Sequence, residues 1–411
     1  GWSVSTAGDV NGDGFDDLIV GARGADPNGD GSGSSYVIFG QAFGFNAAMD
    51  LSSLNGSNGF RLDGEAMLDR SGYSVSTAGD VNGDGFDDLI VGADGDGPND
   101  NYYSDYSGSS YVVFGKVSGF SAAMDLSSLN GSNGFRLNGE VNDSSGRSVS
   151  NAGDINGDGF DDLIVGAVGA DPHGPLSGSS YVVFGKASGF SAAMDLSSLD
   201  GSNGFRLEGE TAYDHLGYSV SNAGDVNSDG FDDLIVGALG ADPNGSASGS
   251  SYVVLGQASG FSATMDLSSL SGSNGFRLDG KAAFDYSGKS VSNAGDVNGD
   301  GFDDVIVGAR GAEPNGTDSG SSYVVFGQAS GFSAAMDLSS LNGSNGFRLD
   351  GGAEYDYSGM SVSNAGDVNG DGFDDLIIGA DGADTNGAWS GSSYVVFGQA
   401  SGFSAAMDLS S

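Results

Sequence analysis

Nine residues, Asp9-Val10-Asn11-Gly12-Asp13-Gly14-Phe15-Asp16-Asp17, recur in copies beginning at Asp80, Asp154, Asp225, Asp296 and Asp367, with successive starts 71, 74, 71, 71 and 71 residues apart. A fixed period of that size means that one supersecondary unit is repeated and that each copy buries its apolar faces on its neighbours. The copies are nearly identical: the third has Ile155 in place of Val, and the fourth has Ser228 in place of the first loop glycine.

Within each copy the oxygen-bearing side chains stand two residues apart, the arrangement of a loop that wraps a hard cation. The first ligands are Asp9, Asp80, Asp154, Asp225, Asp296 and Asp367; the third are Asn11, Asn82, Asn156, Asn227, Asn298 and Asn369. The fifth are Asp13, Asp84, Asp158, Asp229, Asp300 and Asp371, and the closing ninth are Asp17, Asp88, Asp162, Asp233, Asp304 and Asp375. At the seventh position Phe15, Phe86, Phe160, Phe231, Phe302 and Phe373 offer a backbone carbonyl. Ca²⁺ takes about 6–8 oxygens in a loose geometry, whereas Mg²⁺ demands an octahedron and keeps its waters. About six Ca²⁺ ions, one per repeat, are therefore expected. Position twelve holds Val20 where an EF-hand has Glu, and the following residues read as a strand. Asp16, at position eight, is expected to cap the turn or face water.

In the second unit, Gly72 to Ser76 reads as a short strand, Asp88 to Ala93 as a buried one, Gly108 to Gly115 as a third and Gly134 to Gly139 as a half-exposed fourth. The stretch Phe120 to Leu129 fits either a helical turn or an irregular strand and is taken as a connector. Four short antiparallel strands per unit and no long helix predict an all-β fold, a β-propeller of four-stranded blades. Six blades follow from the motif count, with seven possible. The expected division is a single domain, 1–411, of six repeats at about 1–72, 73–146, 147–217, 218–288, 289–359 and 360–411. The fourth strand is found only five times, at Phe60, Phe135, Phe205, Phe276 and Phe347, so the last repeat should lack its outer strand.

The Gly-Tyr-Ser-Val-Ser lead, the Asp-Val-Asn-Gly-Asp-Gly-Phe-Asp-Asp loop, Leu-Ile-Val-Gly-Ala and Ser-Ser-Tyr-Val-Val-Phe-Gly together resemble the FG-GAP repeat of integrin α-subunit propellers and of many bacterial surface proteins. The resemblance covers essentially the whole chain. It implies a calcium site in the hairpin between the first two strands of each blade, on the residues numbered above. The near-identity of the units is more similar to the bacterial surface and adhesin-type members.

The chain carries 56 acids against 13 bases, a formal charge of −43. That surplus excludes a nucleic-acid partner, whose phosphates need Lys and Arg, and argues against docking on anionic lipid. It suits a calcium-rich extracellular setting. There is no cysteine, and no apolar run approaches the roughly 18 residues of a membrane span. The chain opens on Gly1-Trp2-Ser3-Val4 inside a repeat, without initiator Met or signal peptide, as expected of a mature product or fragment.

Candidates for chemistry are few. His173 and His215 are the only histidines, and both are expected to be solvated loop residues; no catalytic residue is assigned. Asp105-Tyr106-Ser107-Gly108-Ser109 matches the Asp-x-Ser-x-Ser pattern of metal-dependent adhesion sites but precedes a strand. Asn55, Asn130, Asn315 and Asn342 open glycosylation-type triplets that equally suit turns. Tyr102, Tyr103, Tyr106, Pro172 to Leu176 and Trp389 give individual blades distinct loops, where recognition usually lives. The expected function is a calcium-stabilised structural or adhesive module of a microbial cell surface, extracellular and non-enzymatic. Its expected partners are a protein or glycan surface ligand or copies of itself, assembled into a filament or array. The competing reading is a carbohydrate-binding lectin or hydrolase that uses the channel or the loop face.

Overall fold

The computed structural model describes residues 1–95, 106–258 and 260–410. It is an all-β, six-bladed propeller. In the second repeat, strands Ser74–Gly79, Asp88–Ala93, Ser109–Val113 and Gly134–Asn138 pair antiparallel in that order. These agree with the strands expected from the sequence to within three residues.

Each of the first five sheets also has a fifth strand that belongs to the next repeat. Ala123–Asp125 runs parallel to Gly59–Asp63, in the register Arg61 to Ala123, Leu62 to Met124 and Asp63 to Asp125. The stretch Phe120 to Leu129 is thus both things its sequence allowed. Its middle is this short strand, and Leu126–Ser128 forms a 3₁₀ turn whose first free amide, on Ser127, is capped by the Asp125 carboxylate. Phe120 seals the join by stacking on Phe60, with ring centroids 4.6 Å apart. The sixth sheet has three strands, Ser361–Gly366, Asp375–Ala380 and Ser392–Val396.

Alternation along each strand sends odd and even residues to opposite faces, and in the second to fifth blades both faces are covered by a neighbouring blade. Ile19, Val37, Phe60 and Leu62 of the first blade meet Leu89, Val91, Ala93, Tyr111 and Val113 of the second in one apolar cluster. Five such clusters join the six blades in succession. Full burial of a residue of this size contributes about 1.5–3 kcal/mol, so these contacts dominate the stability. The approach is close enough to require glycine: a Cβ on Gly21 would sit 2.2 Å from the carbonyl oxygen of Gly72.

The first strands of successive repeats lie against one another from Ser3–Gly8 to Ser361–Gly366. Among the described residues the first and last strands do not meet in the same way. Leu18 is 57% exposed, although its equivalents Leu89, Leu163, Leu234 and Leu376 are buried; Ile377 is 38% exposed, although Ile19, Ile90, Ile164, Ile235 and Ile306 are buried. The first and last blades each leave one apolar face uncovered.

Candidate metal loops

Each loop joins the first and second strands of a blade, and glycines with positive φ let it curl; Gly83 has φ +71° and Gly85 +87°. In the second copy, Asp80 accepts from the backbone amides of Asp84 at 3.0 Å and Gly85 at 2.8 Å. Asp84 accepts from the Phe86 amide at 3.1 Å. Asp88 opens the second strand and is fully buried. Its oxygens accept from the Val81 amide at 3.2 Å and the Gly115 amide at 2.8 Å, with the Asn82 side chain at 3.4 Å. The other copies repeat this pattern with small variations.

The electrostatics of the ninth position are unusual. Burial, helped by the neighbouring carboxylates at positions five and one and opposed by the backbone amides, pushes Asp88, Asp162 and Asp304 up to about 8. Asp233 rises to about 8 and Asp17 to about 6 for the same reasons, burial first. Among the described residues no Lys, Arg or His forms an ion pair with any loop carboxylate. A buried carboxylate beside two more acids and no base wants a cation. The donor set is all oxygen, which fits a hard divalent ion. Among the described residues no three acidic or histidine side chains are gathered closely enough to enclose an ion by themselves. The asparagine side chains and phenylalanine carbonyls would therefore have to complete the coordination.

Position eight departs from expectation. Asp16 does face water, but its five equivalents reach across to the preceding blade. Asp87 accepts from the Asp9 amide at 2.7 Å, Asp161 from Asp80 at 2.7 Å, Asp232 from Asp154 at 2.8 Å, Asp303 from Asp225 at 2.9 Å and Asp374 from Asp296 at 3.0 Å. The backbone of each of the first five loops is thus held by the next.

The FG-GAP repeat family model matches residues 1–38, 71–113, 145–183, 216–254, 287–325 and 358–396, taking in every loop and the three inner strands of every blade. The chain belongs to the FG-GAP repeat family. It is 31% identical to integrin alpha-V of Gallus gallus over 247 residues, 59% of this chain and 20% of that protein. It is 30% identical to integrin alpha-5 of Xenopus laevis over 251 residues, 57% of this chain and 19% of that one. Integrin alpha-PS5 of Drosophila melanogaster is 33% identical over 183 residues, 44% of this chain and 16% of its own length. The FG-GAP chain spans about a fifth of these relatives.

The histidines prove to be more than solvated loop residues. Asn28, Asn244 and Asn315 each donate to a glycine carbonyl of their own repeat and to Asp125, Asp337 or Asp408 of the next, at 2.8–3.0 Å. His173 holds the same place, with Nδ1 2.8 Å from the Gly209 carbonyl and Nε2 3.8 Å from Asp266. His215 sits at φ +56°, and burial with the nearby Arg147 lowers its pKa. Of the Asp-x-Ser-x-Ser stretch, Asp105 lies outside the described residues, as do Tyr102 and Tyr103, while Ser107 and Ser109 are buried. Tyr106 and Trp389 are exposed, and Trp389 stacks on Tyr357 at 6.1 Å.

No helix among the described residues is long and apolar enough to cross a membrane.

Proposed function

We propose that this FG-GAP chain is a calcium-rigidified, non-enzymatic adhesive or structural module of a microbial cell surface. The observation that carries the reading is the buried ninth-position Asp, five copies of which are raised in pKa with no base beside them. Calcium at each loop would be held by Asp80, Asn82, Asp84, the Phe86 carbonyl and Asp88, or their equivalents. It would supply the positive charge these carboxylates lack. Binding to the folded chain alone then stabilises it by mass action. The near-identity of the six loops supports a structural role, since equivalent units offer equivalent metal sites.

A second element of the proposal is assembly into a filament or array. The face left bare on the last blade, with Ile377 and Val395, carries the same residues that every earlier blade packs onto its successor. The bare face of the first blade, with Val4 and Leu18, carries the residues that receive such a face.

Thermal unfolding followed by circular dichroism, in excess Ca²⁺ and then in EGTA, tests the metal sites. A drop of many degrees on chelation is expected, and an unchanged melting temperature would refute six structural sites. Size-exclusion chromatography of the calcium-loaded chain over a concentration series tests assembly.

A further inference from the structure

At the opposite end of each hairpin from the metal loop the repeats diverge, at the residue just before the first strand in Trp2, Tyr73, Lys289 and Met360 and at its third residue in Arg147 and Tyr218, where that strand begins earlier. The structure sets them in a row. Arg23, just beyond the second strand of the first blade, lies 3.5 Å over the Trp2 ring and 5.0 Å from that of Tyr73. Arg147 lies 4.9 Å from Tyr73 and 5.1 Å from Tyr218, and Lys289 lies 4.2 Å over Tyr218. Aromatic rings and cations alternate from the first blade to the fifth.

The charges in this row are only partly answered. Arg147 pairs with buried Asp94 at 3.2 Å, and Arg70 stands 3.8 Å from the same carboxylate. Among the described residues neither Arg23 nor Lys289 has a carboxylate within ion-pair distance, Arg23 acting on Asp94 only from farther off, in a chain with 56 acids and 13 bases. Burial raises the Tyr218 phenol, but Lys289 and Arg147 more than reverse this and leave it below its ordinary range. This end of the axis is a cationic patch on a strongly acidic protein. Trp2 is 57% exposed, with Arg23 over one face of its ring.

We propose that this row binds an acidic carbohydrate, a short oligomer of uronic acids. A pyranose offers an apolar C–H face to the exposed Trp2 ring on the side that Arg23 does not cover, and a uronic acid adds a carboxylate that pairs with Arg23 or Lys289. Each sugar thus presents the two chemistries that alternate in the row. An acidic peptide would use the cations and leave the rings idle. The inference rests on the adhesive reading above and supplies it with a ligand.

The test is calorimetric titration of trigalacturonate into the calcium-loaded chain, beside neutral galactotriose and pentaglutamate. Trigalacturonate should bind, galactotriose should bind at least tenfold more weakly, and raised salt should weaken the acidic sugar. The double variant R23Q/K289Q should lose roughly tenfold in affinity at unchanged melting temperature, the scale set by two exposed ion pairs. R23K/K289R, which keeps both charges, should retain most of it. Absence of trigalacturonate binding, equal binding by a folded R23Q/K289Q, or tighter binding of pentaglutamate would each overturn the proposal. Calcium-dependent stability and assembly are measured without any sugar, so they stand or fall separately.

Discussion

Asp161 Oδ2 takes a hydrogen bond from the backbone amide of Asp80 at 2.7 Å, across the boundary between two blades. Among the described residues no other side chain accepts from that amide, and a Cβ on the preceding Gly79 would lie 2.2 Å from Asp161 Oδ2. Truncation leaves a part-buried donor unanswered and removes a charged acceptor, a change that costs about 1–3 kcal/mol. Asp161→Ala should lower the melting temperature in saturating calcium. Asp16→Ala, the same residue type at the same loop position but facing water, should leave it unchanged. Equal effects from the two variants would mean that the inter-blade bond contributes nothing.

Asp143 gives a pH signature away from the loops. Burial pushes its carboxyl up to about 6, although the Tyr181 hydroxyl donates to it at 2.9 Å. A raised carboxyl contributes fully below the unfolded value near 3.8, and the contribution fades as pH climbs through about 6. Asp143→Asn, which has no charge to bury, should match the parent at pH 4 and be more stable at pH 7.5 by about 1–2 kcal/mol. The readout is the difference in melting temperature between the two chains at each pH. A difference that stays flat from pH 4 to 7.5 would remove Asp143 as the titrating group.

Ser228 holds φ +56° where the other five loops have glycine. A side chain in the left-handed region costs roughly 1–2 kcal/mol. Replacement by glycine recovers that cost and loses part of it again through the greater freedom of the unfolded chain. Ser228→Gly should therefore raise stability by about 0.5–1 kcal/mol, measurable as a small upward shift in melting temperature. A downward shift would show that the serine hydroxyl contributes a bond that outweighs the backbone strain.

The bare end faces predict a separation of stability from assembly. Leu18→Glu and Ile377→Glu place a charge on exposed surface and should leave the melting temperature within a degree or two, while abolishing concentration-dependent self-association. Leu234→Glu, the same replacement at the equivalent buried position, should unfold the chain or cost more than about 4 kcal/mol. Persistence of self-association in both end variants would place the contact elsewhere.

These contrasts show where the sequence is transparent. The inner strands were legible because Val, Ile and Tyr stand between glycines at a fixed period, and each local preference agrees with the fold. The fifth strand was not, because Ala123–Asp125 is three residues long and its partner belongs to the preceding repeat. The inter-blade role of position eight in the later loops was hidden for the same reason: the amide that Asp87 holds lies 78 residues away. The histidine at 173 looked isolated until the asparagines at 28, 244 and 315 were seen in the same place. Identical sequence also conceals different surroundings, since nothing in Asp-Asp-Leu-Ile distinguishes buried Ile235 from exposed Ile377. The row of rings and cations did leave a trace, in a position at the start of the first strand whose chemistry changes from repeat to repeat.

The parallel pairing of Gly59–Asp63 with Ala123–Asp125 puts the unit of sequence and the unit of hydrogen bonding out of phase. A sheet is finished only by residues that belong to the following repeat. During synthesis, then, no blade can close its outer edge until the connector of the next has emerged. Once both are made, the outer edge of each of the first five blades is latched by its successor. Duplication of one period at any internal point brings along both halves of that latch, so the chain can lengthen without inventing a new joint.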